Sequence, residues 1–246
     1  MKVSSVRIRS DGKLGNLEQH IQHLKLKRRI KSPSKMTEYK LHYFDLRGLG
    51  EAIRLIFAYA NQPYEDRIIS MEDWPDYKPN YKYGRLPVLE VDGKQLAQSS
   101  VICRYLGEKF GLAGKDEWER AHVNEIIDFH KDAYSDLAPY YYRLLGYGNK
   151  GLVQGDPADL RKDLFLPTSA RHFPQYVRLL QESGSGFLAP SGLTFVDFIV
   201  ADYFEHWVNK FEPELMKEKY PEIVAFVDKV HLLPELQHYL KNRRHE

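Results

Sequence analysis

Residues 39–51 read Tyr39-Lys-Leu-His-Tyr43-Phe-Asp-Leu-Arg-Gly-Leu-Gly-Glu51, and residues 84–99 read Gly84-Arg-Leu-Pro87-Val-Leu-Glu-Val-Asp-Gly-Lys-Gln-Leu-Ala-Gln98-Ser99. In the first, Lys40–Phe44 alternates, with Leu41 and Tyr43 on one face, which is the period of a strand. A glycine-punctuated turn follows. Ala52, Ile53, Leu55, Ile56 and Tyr59 then recur at helical spacing. In the second, a proline precedes a strand, and Asp92-Gly93 between Val88–Val91 and Gln95–Ala97 is a hairpin signal. Gln98-Ser99 opens a further helix over Ser99–Phe110. Tyr64–Ile69 reads as another strand, and Met71–Tyr83 is turn-rich around Pro75 and Pro79. The predicted order is βαβ followed by ββα, a small α/β domain.

Gly111–Asp116 has the composition of a linker. Beyond it, Glu117–Tyr142, Pro157–Gln181, Thr194–Asn209 and Glu222–Lys229 show helical patterning and no convincing strand. Thr194-Phe-Val-Asp197 has the form of a capping box, in which the hydroxyl and carboxylate close free N–H groups of a helix's first turn. The predicted domains are a basic extension over 1–35, an α/β domain over 36–114 and an all-helical domain over 115–246.

The 246 residues are 43% hydrophobic and 13% aromatic, ample for a packed core. No apolar run approaches the roughly 20 residues that cross a membrane, so stable membrane insertion is not expected. Cys103 is the only cysteine, which excludes an intrachain disulfide and a Cys-x-x-Cys pair and suits a reducing, cytoplasmic setting. The net charge of +2 hides an asymmetry: residues 1–35 carry +8 and the remainder −6. A nucleic-acid partner for the body therefore has no electrostatic support. The extension places Leu14, Leu17, Ile21 and Leu24 at helical spacing beside Lys25, Lys27, Arg28 and Arg29. Three readings fit it: a disordered tail or leader ahead of a start at Met36, a mitochondrial-type presequence, or a membrane-surface or partner-binding helix.

From about Met36 onward, the two quoted motifs together resemble the glutathione-binding half of the glutathione S-transferases. The likeness is strongest to the sigma class, which includes nematode enzymes and the haematopoietic prostaglandin D synthases. The resemblance implies a thioredoxin-like domain followed by an all-helical C-terminal domain, and a homodimer. It also implies an enzyme that uses glutathione as co-substrate, with no other cofactor and no metal. Tyr43 would donate a hydrogen bond to the glutathione sulfur, stabilising the nucleophilic thiolate. Gln98 and Ser99 would present helix N-terminal amides to the γ-glutamyl carboxylate. Leu86-Pro87 resembles a cis-proline turn that exposes the Leu86 main chain to the cysteinyl unit. Trp74 and Lys78 match contacts to the glycine end; Gly84 and Arg85, the latter where family members carry lysine or glutamine, are further glutathione-binding positions. Asp132 would cross the dimer interface to the glutamyl amine of the partner's glutathione. Phe44, Leu49 and Tyr140 are expected to line the pocket for an apolar electrophile. Reduction of organic hydroperoxides is a second expected activity. The alternatives are a prostaglandin isomerase and a crystallin-like homologue with little turnover.

Two positions depart from the family pattern. Leu49 stands where an arginine is common, which removes a positive charge from the thiolate's surroundings. Lys131 stands beside Asp132 where prostaglandin D synthases carry an acidic pair. Other patterns carry less. Gly146-Tyr-Gly148-Asn-Lys-Gly151 follows a helical run rather than a strand, which removes its dinucleotide reading. Ser183-Gly-Ser185-Gly lacks a nucleophile-elbow context, and Cys103 reads as core packing.

Overall fold

The computed structural model describes residues 37–146 and 153–243. The basic extension and most of the Gly146–Gly151 motif lie outside the described residues. The chain opens with strand β1 (Tyr39–Tyr43), helix α1 (Glu51–Tyr59) and strand β2 (Glu65–Ile68). A single helical turn α2 (Trp74–Tyr77) runs into a tight turn over Lys78–Asn80. Strands β3 (Val88–Val91) and β4 (Lys94–Ala97) and helix α3 (Ser99–Phe110) follow. The sheet order is β2-β1-β3-β4, with β1 parallel to β2 and antiparallel to β3. Parallel pairing requires a crossover, which α1 provides. Asp92 and Gly93 both have positive φ, 48° and 82°, as a two-residue type I′ hairpin demands.

One face of β1 presents Leu41 and Tyr43 to the main core, with Ile53, Ile56, Leu89, Ile102 and Leu106. On the opposite face His42 is also buried, beneath a small cluster of Ile69, Tyr81 and Val88 that Trp74 and Leu86 border. The segment from α2 to Pro87 therefore covers the second face of the sheet, and the alternation predicted for β1 ends with both faces buried.

The remainder is helical. Helix α4 (Glu117–Leu144) begins at Asp116, whose carboxylate accepts from the Glu119 amide at 2.9 Å. Val123, Ile126, Ile127, His130, Ala133, Leu137 and Tyr141 form its buried face. A short α5 (Pro157–Leu160) joins α6 (Leu166–Ser183) through a wide turn at Arg161–Phe165. Helix α7 (Phe195–Tyr203) continues through a second wide turn at Phe204–Asn209. The closing elements are α8 (Pro213–Lys219), α9 (Pro221–His231) and α10 (Gln237–Asn242). Asp197 has the capping-box geometry: Oδ2 accepts from the Thr194 amide at 2.6 Å and Oδ1 from the Leu188 amide at 2.8 Å. Burial raises the Asp197 pKa to about 6, against the pull of those bonds.

Residues from Glu38 onward form one compact unit, so the expected linker is a packed junction in which Leu112 and Ala113 are buried. Its tightest point is Gly107 on α3, where a Cβ would sit 2.6 Å from the Phe195 ring on α7. No helix among the described residues is long and apolar enough to cross a membrane.

Candidate active site

Tyr43 ends β1 and is only 6% exposed. Its hydroxyl accepts a hydrogen bond from the Leu49 amide at 2.9 Å. The turn closes over it because the Arg47 carbonyl accepts from the Gly50 and Glu51 amides, both at 3.0 Å. A Cβ at Gly48 would lie 2.7 Å from the Tyr43 oxygen, and one at Gly50 would lie 2.4 Å from its ring. Gly48 also has φ +37°, a region that favours glycine. The two glycines are therefore the spacers that let the backbone lie against the phenol.

Two buried arginines hold this turn, and sequence reasoning missed both. Arg54, on α1, donates to Asp66 at 2.9 Å and to the Leu46 and Phe44 carbonyls at 2.9 and 3.3 Å. Its guanidinium lies 5.7 Å from the centre of the Tyr43 ring. Arg47 donates to Asp202 of α7 at 2.6 and 3.1 Å and also to Glu205. Burial works against its charge, but Asp202 and Glu205 outweigh that and hold the guanidinium above its usual pKa. Burial in turn pushes Asp202 up to about 7 despite the pull of Arg47.

Phe44, Leu49, Trp74, Gly84, Arg85, Leu86, Gln98 and Ser99 line one cavity of about 280 Å³, together with Tyr83, Pro87 and Ala97. Lys78 is outside that lining but adjoins it, since a Cβ at Gly84 would meet Lys78 Cε at 3.1 Å. The Leu86–Pro87 peptide is cis. Gln98 has φ 76° and ψ 114°, a conformation few non-glycine residues adopt. Ser99 is the first residue of α3, and no side chain caps the helix, so its first-turn amides remain available. Those amides and the helix dipole suit a carboxylate.

A second cavity of about 230 Å³ shares Leu49, Gln98 and Ser99 with the first. Its far wall comes from Cys103 on α3, Ile127, His130, Lys131 and Tyr134 on α4, and Ile199, Asp202, Tyr203 and Trp207 from α7 and its wide turn. The expected wall residue Tyr140 is not among them. Tyr140 is 3% exposed, its ring packs on Phe165, and its hydroxyl donates to Glu212 at 2.6 Å. Six residues earlier on the same helix, Tyr134 takes the wall position, its hydroxyl 3.1 Å from that of Tyr142. The α4 residues of this wall, Ile127, His130, Lys131 and Tyr134, recur at one helical spacing that runs from the buried face to its exposed flank, a signal open to sequence reading. The contribution of α7 is a long-range contact with no local signal.

Burial raises the pKa of Tyr134, helped by its bond to Tyr142, so the phenol is neutral at physiological pH. Burial lowers His130 to about 4, and its Nδ1 lies 3.0 Å from the Tyr176 hydroxyl. Cys103 is 1% exposed and burial raises its thiol, which leaves it unreactive core packing at the cavity's edge. Asp132 is exposed on α4 and lines neither cavity.

A mixed four-stranded sheet with a cis-proline before β3, joined to an all-helical half, defines a thioredoxin-like protein carrying an α-helical domain. Family comparison narrows this further. Residues 39–108 match the glutathione S-transferase N-terminal domain, and residues 153–243 match the C-terminal domain. The chain is 41% identical over 210 residues to "Probable glutathione S-transferase 5" of Caenorhabditis elegans, covering 85% of this chain and 98% of that protein. A Nu-class transferase structure from Haemonchus contortus is similar at 42% identity and a TM-score of 0.76, covering 86% and 99% of the two chains. Monomeric Na-GST-3 of the hookworm Necator americanus is similar at 39% identity and a TM-score of 0.78, covering 85% and 98%. The chain belongs to the glutathione S-transferase family.

Proposed function

We propose that this chain conjugates glutathione to apolar electrophiles, with Tyr43 stabilising the thiolate. The observation that carries this reading is the hydrogen bond from the Leu49 amide to the Tyr43 hydroxyl: Tyr43 itself lines neither cavity, and this bond holds its hydroxyl against Leu49, which borders both. A hydroxyl that accepts from an amide keeps its own proton to donate. Directed at the glutathione sulfur, that proton favours thiolate over thiol and raises the reactive fraction at neutral pH. The thiolate lone pair then forms a carbon–sulfur bond with the electrophile as the leaving group departs with its electron pair.

The first cavity is the glutathione site in this reading. The first-turn amides at Ser99 receive the γ-glutamyl carboxylate beside Gln98, and the Leu86 main chain pairs with the cysteinyl unit. Trp74, Lys78, Gly84 and Arg85 face the glycine end. The electrophile occupies the second cavity, entering past Phe44 and Leu49. Asp132 serves the glutamyl amine of a partner subunit's glutathione, which makes the working unit a homodimer. Sigma-class membership and a cytoplasmic location belong to the same reading. The first is supported by the Tyr43 and Gln98-Ser99 motifs, the second by the single buried cysteine.

Conjugation of an aryl halide tests the proposal. Tyr43→Phe should lower kcat/KM on the order of 100-fold while glutathione affinity holds. An unchanged rate would remove Tyr43 from the chemistry. A wild-type protein that binds glutathione yet turns over neither aryl halides nor hydroperoxides would favour the crystallin-like alternative. The prostaglandin reading has Lys131 against it, because an ammonium replaces one member of that enzyme's acidic pair.

A further inference from the structure

His42 and Tyr81 are the unexplained polar pair of the N-terminal half. His42 lies on the sheet face away from Tyr43 and is 4% exposed. Its Nδ1 sits 2.9 Å from the Tyr81 hydroxyl, and the two rings meet edge-on with centroids 5.6 Å apart. His42 Nε2 is buried without a hydrogen-bond partner among the described residues, 3.8 Å from a Glu90 carboxylate oxygen. Tyr81 is thus the ring's one hydrogen-bond partner there.

Tyr81 sits where the glutathione-facing segment is joined to itself. Its amide donates to the Lys78 carbonyl at 3.3 Å, and its carbonyl accepts from the Gly84 amide at 2.8 Å. Its ring lies 5.8 Å from that of Trp74, which meets Phe44 edge-on at 5.6 Å. One residue therefore touches the Trp74 ring, the Lys78 turn and the Gly84 turn. Apolar packing on Ile69 and Val88 also holds the segment to the sheet, but it is non-directional. Trp74–Tyr77 is a single helical turn, far below the length at which a helix is stable alone. Among the described residues, the His42–Tyr81 bond is the one side-chain hydrogen bond that joins residues 70–86 to the sheet.

We infer that the buried His42–Tyr81 hydrogen bond positions the Trp74–Leu86 segment for the glycine end of glutathione, making both positioning residues that set glutathione affinity. This rests on the assignment of the first cavity to glutathione. Neither side chain lines that cavity, so the effect passes through Trp74, Lys78 and Gly84. A pair acting this way changes the KM for glutathione and leaves turnover at saturation alone, because Tyr43 is held by a different turn.

Steady-state kinetics with glutathione varied against a fixed aryl halide tests it. Tyr81→Phe removes one oxygen and keeps the ring, so the fold is retained. Its KM for glutathione should rise roughly three- to tenfold, the loss of one buried hydrogen bond. Its kcat should stay within about twofold of wild type. His42→Val should reproduce that rise, while His42→Asn, which keeps an acceptor near the Nδ1 position, should bring KM back toward the wild-type value. The double variant Tyr81→Phe/His42→Val should be no worse than either single change, since both remove one interaction. Additive effects, an equal fall in kcat or an unchanged KM in Tyr81→Phe would overturn the positioning role. Trp74→Ala separates the two levels. If it raises KM while Tyr81→Phe does not, the positioning role alone fails. If Trp74→Ala leaves KM unchanged, the glutathione assignment of this segment fails and the positioning role goes with it.

Discussion

The backbone amide of Leu49 donates to the hydroxyl of Tyr43 at 2.9 Å, so the turn after β1 folds back onto the side chain that ends the strand. The approach is close enough that Gly50 has no room for a methyl group, although its φ of −89° suits any residue. Gly50→Ala should therefore act through sterics alone. The added carbon would lie 2.4 Å from the Tyr43 ring, which must move. Overpacking of this kind costs about 1–3 kcal/mol. Conjugation should fall further than stability does, because the displaced group is the one proposed to meet the sulfur. Activity measured well below the melting temperature checks this, and full activity there would mean the ring tolerates displacement.

The Arg47–Asp202 pair fastens the same turn to the helical half. Both side chains are nearly buried, at 7% and 5% exposure, so removing one partner strands the other's charge away from water. Arg47→Ala should cost about 3–5 kcal/mol. For a domain of this size that is a fall in Tm of roughly 6–20 °C. Replacing both by apolar residues, as in Arg47→Met/Asp202→Leu, should recover most of the loss, since no charge is then buried alone. Thermal denaturation of the three variants decides it. A double variant as unstable as Arg47→Ala would mean the pair is a net source of stability.

The framework around these residues was legible from local pattern. Alternation gave β1, Asp92-Gly93 gave the hairpin between β3 and β4, and α3 spans the predicted Ser99–Phe110. Eight residues assigned by motif fall in one cavity because they sit at strand ends and turns, where sequence order and spatial order nearly coincide. What escaped was set by distance. Arg47 meets Asp202 across 155 positions, and no periodicity records such a contact. His42 occupies an ordinary position of β1, and only the chain laid over the far face of the sheet reveals why a histidine is there. Tyr140 fell to the same cause: a run of three tyrosines offers three directions on a helix, and packing against Phe165 chose the core for this one.

Asp132 separates a one-chain site from a shared one. It is exposed and lines neither cavity within its own chain, although its neighbour Lys131 borders the second. If it reaches a partner's glutathione, Asp132→Ala should raise the glutathione Kd by about tenfold, the loss of a charge-assisted contact. Sedimentation should still report a dimer. The similar Necator americanus protein is described as monomeric, so the oligomeric state needs measuring beside the affinity. A monomer that binds glutathione normally, or a variant of unchanged affinity, would exclude the cross-subunit role.

Acid sensitivity should trace in part to His130. Its pKa in the folded state is pushed down to about 4 by burial, below the roughly 6.5 of an unfolded chain. As pH falls through 6.5 the unfolded chain takes up the proton first, and the native state does so only near 4. The native state is therefore favoured in full above pH 6.5 and loses that advantage steadily down to about pH 4. The loss amounts to about 3 kcal/mol in total, with a slope that approaches 1.4 kcal/mol per pH unit. His206, also lowered to about 4 by burial, acts in the same sense. Asp197 and Asp202, raised by burial, act in the opposite one, so the overall curve does not isolate any single group. The difference between wild type and His130→Asn does. Asparagine keeps a polar atom near the position of Nδ1, within reach of the Tyr176 hydroxyl, and has no titration in this range. Urea denaturation between pH 4 and 7 should give a stability curve flatter by about one proton in the variant. Parallel curves would place the acid-labile group elsewhere.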